Sequence, residues 1–225
     1  MYSQKTYSVS PCYRSFKEID SQSYHTLIRF FEEHAFIIKA LDFDEYFEIL
    51  TSYLRSLFEA GAYQKHADMA DVVIEAAIIN NLKVYRGEDI YEKTLFQKSA
   101  SLFHLQKYAP ASHILSELIK INPSEPSYRL FLIKTRLQIK PGYLYVLQGL
   151  AIVIYLFTIL VVSVQTFYLD PFKPEWSPLA FTTRNISLIT ATFFLMLSDL
   201  VFRGRTWYTV NKLAQESKEK IKRGE

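Results

Sequence analysis

Apolar residues recur at spacings of three and four along most of the first 140 positions. Tyr24, Leu27, Ile28 and Phe31 follow Ser21 and Ser23, either of which suits a helix N-cap. The next stripe is the longest. Behind Asp42 and Asp44, residues Tyr46, Phe47, Leu50, Tyr53, Leu54, Leu57 and Phe58 line one face as far as Gly61, which takes positive φ cheaply and so closes a helix. A third stripe carries Ala67, Ala70, Val73, Ile74, Ala77 and Ile78 and ends at Asn80-Asn81. Two striped helices joined by a short turn hide their apolar faces by folding together as an antiparallel hairpin.

The same reasoning predicts a second hairpin. Its first helix runs from about Glu88 to Leu105, with Ile90, Leu95, Ser99, Leu102 and Phe103 inward. Its second lies in QKYAPASHILSELIKINPSEP, with Ile114, Leu115, Leu118 and Ile119 on one face and a stop at Asn122-Pro123. A further helix carries Tyr128, Phe131, Leu132, Thr135 and Ile139. The expected fold class is all-α, with a helical domain over 21–140. Residues 1–20 are polar and aromatic without a period and read as an N-terminal arm or docking segment. They lack an apolar core of signal-peptide length, so nothing there is expected to export the helical domain.

Beyond Lys140 the pattern changes. Tyr143 to Leu169 contains no charged residue, and a helix needs about 20 apolar residues to cross a hydrocarbon core of about 30 Å. Tyr143 and Tyr145 at one end, with Phe167 and Tyr168 at the other, suit the two membrane interfaces. Residues 170–178 form a proline-rich external loop. A second apolar run covers 179–202 and is interrupted by Arg184, Asn185 and Asp199. Arg184 lies where it can snorkel to the interface, and Asp199 sits four residues before Arg203, a helical ion-pair spacing. A re-entrant or surface-lying helix is the alternative to a second crossing. Thr183, Ser187, Thr190, Ala191 and Ser198 form a strip of small and hydroxyl side chains suited to helix contact, with the first crossing or with another subunit.

Charge gives the sidedness. Lys134, Arg136 and Lys140 precede the first run, seven basic residues from Arg203 to Arg223 follow the second, and the loop offers only Lys173. Both ends are therefore expected in the cytoplasm, making a two-pass integral membrane protein. Trp207 and Tyr208 open the basic tail, 203–225, at headgroup level. That tail is either a short lipid-attracted helix, with Val210, Leu213, Ala214 and Ile221 on one side, or a solvated end. The net charge of +3 is concentrated there, so no nucleic-acid partner is expected.

One segment carries a family resemblance. Leu95 to Pro126 resembles a tetratricopeptide repeat, a helix-turn-helix unit of about 34 residues. With Pro123 on the closing proline, Tyr108 falls on the aromatic that begins the second helix. Ala111 then falls on the small residue at the helix crossing, and Leu115 and Leu118 on the positions after it. Ser99 stands in place of the consensus glycine, Leu118 in place of a small residue, and no tryptophan opens the unit. A generic helical bundle is the alternative. The resemblance implies stacked helix pairs and a concave groove for a peptide or partner helix.

Catalytic patterns are sparse. Arg29 and His34, in RFFEEH, resemble the arginine-to-histidine motif of HEPN-type ribonucleases, in which the two residues surround a scissile phosphate. Phe30 replaces the usual polar residue after the arginine, and Glu32 and Glu33 would repel a phosphate backbone. No His-x-x-x-His pair, phosphate-cradling glycine loop or nucleophile elbow is present in the sequence, and Cys12 is the only cysteine, so no metal or cofactor is expected. His104 and His113 flank a turn and read as surface or core-edge residues. The expected function is that of an adaptor or scaffold binding a protein partner at the cytoplasmic membrane face. The alternatives are a subunit of a larger membrane complex (pore, transporter or secretion assembly) and, third, a ribonuclease.

Overall fold

The computed structural model describes residues 10–223, apart from the Pro174 side chain. Residues 1–9 of the arm and 224–225 of the tail lie outside it. Among the described residues the chain is all-helical but for one two-stranded hairpin, and it divides into two compact units: residues up to Thr135 together with Ser217 onward, and Arg136–Glu216.

The first unit is a succession of helices, each packed on the next: α2 (Tyr24–Ile38), α3 (Phe43–Glu59), α4 (Tyr63–Ile79), α5 (Ile90–His104) and α6 (Tyr108–Ile121). Helix α1 (Pro11–Glu18) precedes them and α7 (Pro126–Gln138) follows. The expected arm thus holds a helix. Ser10 caps it through an Oγ that accepts from the Tyr13 N–H at 3.2 Å, and Pro11 suits its first position because no amide proton is needed there.

The turns use one device three times. At the ends of α3, α4 and α5, the residues Gly61 (φ +75°), Asn81 (φ +52°) and Gln106 (φ +59°) adopt left-handed backbone. Each donates its N–H back over the last turn, and the following residue donates five back, as Ala62 does to the Leu57 carbonyl at 2.9 Å. Orphan carbonyls are satisfied and the chain reverses at once. Between α4 and α5 a short antiparallel hairpin, β1 (Val84–Tyr85) and β2 (Glu88–Asp89), turns at Arg86-Gly87. Asp89 then caps α5, its Oδ1 accepting from the Tyr91 and Glu92 N–H groups at 3.0 Å. Asp89→Ala is expected to lower the unfolding free energy by about 1 kcal/mol, read by chemical denaturation.

The larger core joins α1 through α5. Ile38, Phe47, Leu50, Leu57, Ala70 and Val73 are fully enclosed, and Phe31 stacks on Tyr53 with centroids 3.9 Å apart. A Glu32 carboxylate accepts from the Tyr53 hydroxyl, and burial followed by that acid pushes the phenol up to about 12. A smaller cluster joins Ala67, Leu102 and Ala111 across α4, α5 and α6.

The expected inward faces need two corrections. On α4 the buried set is His66, Ala67, Ala70, Val73 and Ala77, while Ile78 is exposed: it lies one residue, about 100°, past Ala77 and so turns off the face. On α5 the buried set is Ile90, Thr94, Ser99, Ser101 and Leu102, with Leu95 and Phe103 half-buried. Ile139 lies just past α7 and is exposed.

In the second unit, α8 (Gly142–Val164) continues through a π-helical turn (Gln165–Leu169) into α9 (Asp170–Phe172). After a 3-10 turn at Pro174–Trp176, α10 runs from Ser177 to Arg223. The connection expected over 170–178 is therefore largely helical. The tail shares one helix with the apolar run before it, because no proline interrupts 179–223 and its charges pair one turn apart, Lys212 with Glu216 and Glu219 with Arg223.

Candidate functional site

A cavity of about 500 Å³ in the first unit forms a trough between α3 and α5. Its α3 wall runs from Glu48 to Glu59, about 17 Å at the helical rise, and its α5 wall from Ile90 to Gln97. Phe16, Leu27, Leu54 and Ile90 supply a buried apolar floor. Two structures close one end: α1 and the β1–β2 turn.

Glu48 holds that end together. Its carboxylate accepts from Lys17 Nζ at 2.6 Å, from Arg86 at 2.7 Å and from the Tyr13 hydroxyl. Although burial opposes it, these donors keep the Glu48 carboxyl below its usual range. One turn away, Glu45 accepts from both the N–H and the hydroxyl of Ser10. Two glutamates of α3 thus fix α1 against the trough. Four basic side chains, Lys17, Arg55, Arg86 and Lys93, line it against two acids, Glu48 and Glu59.

The residues expected to carry the repeat pattern do not line this trough. Ala111, Leu115 and Leu118 are fully buried on α6, Pro123 is buried just beyond it, and Tyr108 packs edge-on against Phe103 of α5. Glu92 of α5 accepts from Asn122 at 3.1 Å and from the Tyr128 hydroxyl at 3.0 Å, tying the α6 exit and α7 to α5. Burial and then Glu92 push the Tyr128 phenol well above its ordinary value.

Arg29 and His34 are not brought to one centre. They sit five residues apart on α2, about 140° around its axis. Arg29 pairs with Glu33 at 3.7 Å, and His34 stacks on Phe30 with Nδ1 at 3.0 Å from the Phe30 carbonyl. Cys12 lines a shallow cavity with His34, yet burial and then Glu45 push its thiol up, away from the thiolate a nucleophile needs. His104 stacks on Tyr63 at 4.3 Å, while His113 is exposed.

His66 is the functional-looking residue that periodicity missed. It is fully buried on α4, 2.8 Å from Ser101 Oγ through Nδ1, with the Phe58 ring edge-on and no partner for Nε2. Burial lowers its pKa to about 4, so it stays neutral.

In the second unit, the small-residue strip meets α8. Ser187 hydrogen-bonds Thr158 at 2.8 Å, Thr192 bonds Tyr155 at 2.8 Å, and Ala191 between them is fully buried. Ser198 is buried with its hydroxyl donated to the Leu195 carbonyl, whereas Thr183 is exposed. Arg184 lies over the Phe181 ring at 4.5 Å, and Asp199 pairs with Arg203 at 2.8 Å. Trp207 is exposed. Gly142–Phe172 and Ser177–Arg223 are each long and apolar enough to cross a membrane, and only 11% and 17% of their apolar windows are buried.

No protein-family model, curated protein or solved structure matches this chain.

Proposed function

We propose that the chain is a membrane-anchored adaptor of tetratricopeptide-like build, holding a protein partner in the α3–α5 trough at the cytoplasmic face. The observation that carries this reading is the trough itself. It is an elongated, apolar-floored groove among stacked helices, on a chain with two helices whose apolar residues find little cover in the protein. Water would penalise those faces by about 25 cal/mol per Å², and hydrocarbon removes the penalty. The basic residues before α8 and after Val201, against Lys173 alone between, favour cytoplasmic ends for both.

The test is a photo-crosslinking amino acid at Gln97, inside the trough, compared with the same group at half-buried Ser112 on α6, outside it, in native membranes. A discrete adduct is expected from position 97 and none from 112. Equal yields, or no adduct at 97, would remove the trough from the account.

A second reading, a subunit of a larger membrane assembly, draws on exposed apolar ends: Phe36 of α2 is 91% exposed, and Ile78 and Ile79 end α4 uncovered. Ser187 and Ala191 lend it no support, being occupied within the chain. Size-exclusion chromatography with light scattering separates the two, a stable ring or hetero-complex favouring the second.

A further inference from the structure

The charge and hydrogen-bonding state of the trough specify what kind of segment it takes. Glu48 is saturated by Lys17, Arg86 and Tyr13. Lys93 is paired with Glu88. Among the described residues Arg55 has neither an ion pair nor a hydrogen bond, although it stands on the α3 wall in the middle of the trough. Thr94, only 1% exposed, stands on the opposite wall. A guanidinium beside an apolar floor is poised for a carboxylate. Arg86 is 62% exposed at the trough end, with donors to spare beyond its single bond to Glu48.

The shape narrows the class further. A wall of about 17 Å matches about five residues of extended chain or three turns of helix, rather than a compact metabolite. The floor of Phe16, Leu54 and Ile90 accepts apolar side chains along that length. A nucleic-acid strand fits less well, since its phosphate backbone makes no use of the apolar floor of Phe16, Leu54 and Ile90.

We infer that the trough takes an acidic amphipathic segment of a partner protein. Its apolar side chains sit on Phe16, Leu54 and Ile90, and its carboxylates reach Arg55 and Arg86. This rests on the adaptor reading and names the chemistry of its partner.

The test pans a random 12-residue peptide library against the full chain in nanodiscs. Enriched peptides are then measured by fluorescence anisotropy on the wild type, on Arg55→Glu, on Arg86→Gln and on Lys120→Glu. Lys120 lies on α6, paired with Glu117 and outside the trough. The expected result is enrichment of Asp or Glu within a few positions of Leu, Ile or Phe. Binding should weaken about tenfold for each trough variant, the loss of one charge-assisted bond, and stay unchanged for Lys120→Glu. Because Arg55 has no partner to lose, its variant should keep the wild-type melting curve, so weaker binding is not a folding defect. Enrichment of neutral or basic peptides that still depend on the trough overturns the acidic preference and leaves the adaptor reading standing. Failure to enrich any peptide, or retention of single-stranded RNA at the trough instead, overturns both.

Discussion

Leu156→Lys combined with Ile159→Lys is expected to drive α8 out of the membrane. Wild-type protein should float with the bilayer on a sucrose gradient after an alkaline wash, and the double variant, left with α10 as its one crossing, should be washed out in larger part. Both positions lie near the middle of Tyr143–Leu169, and both side chains are 61% exposed, so neither change removes packing inside the protein. A lysine at the centre of a spanning helix is unfavourable by about 3 kcal/mol, and the pair by about 6, which lowers the inserted fraction by about four orders of magnitude. Ala at the same two positions should leave flotation intact, which separates a requirement for lipid from a requirement for bulk. Wild-type chain in the soluble fraction without detergent would sink the two-pass reading. Sidedness has its own readout. Glu175→Cys, in a Cys12→Ser background, should react with an impermeant maleimide only from the side opposite the helical domain.

The second large effect is a pH dependence set by His66. Its pKa is about 4 in the folded chain and about 6.5 when unfolded. Below 6.5 the unfolded chain takes up a proton that the folded chain refuses, so folding is disfavoured as pH falls. The His66 contribution is complete above pH 6.5 and is lost progressively towards pH 4, by about 3 kcal/mol in all. Between pH 6.5 and 5, above the ordinary carboxylate range, the expected loss is about 2 kcal/mol, measured by urea unfolding followed by circular dichroism at several pH values. His66→Phe places an apolar ring among Phe58 and its neighbours and should remove that slope. A slope that survives the substitution would assign it to other groups. The site also explains why a histidine is tolerated: Ser101 satisfies Nδ1, so the neutral ring leaves one nitrogen unpaired in the core, whereas the cation would need two partners and a counter-charge.

How much of this was legible beforehand differs from element to element. The stripe from Tyr46 to Phe58 announced α3 because each apolar residue there repeats the helical period and faces the same core. Gly61 marked its end for the same local reason. Gln106 did not mark the end of α5, since a glutamine has no preference for left-handed backbone and takes it only because α6 must pack at once. His66 and Ser101 were hidden because one polar residue on an apolar face gives no periodic signal. Spacing along the chain groups Arg29 with His34, and the helix turns them in different directions.

The sequence by itself determined where α2 to α7 lie and that residues 143–169 form an uncharged apolar run, since both follow from side chains a few positions apart. Tertiary structure decided the trough. Phe16, Glu48, Arg55, Arg86 and Thr94 come from four separate segments and meet only when α1 and the β1–β2 turn close on α3 and α5. It also decided which strip of α10 is occupied, because the Ser187–Thr158 bond joins residues 29 positions apart. Local periodicity encodes which face of a helix is apolar, and only packing decides what that face meets.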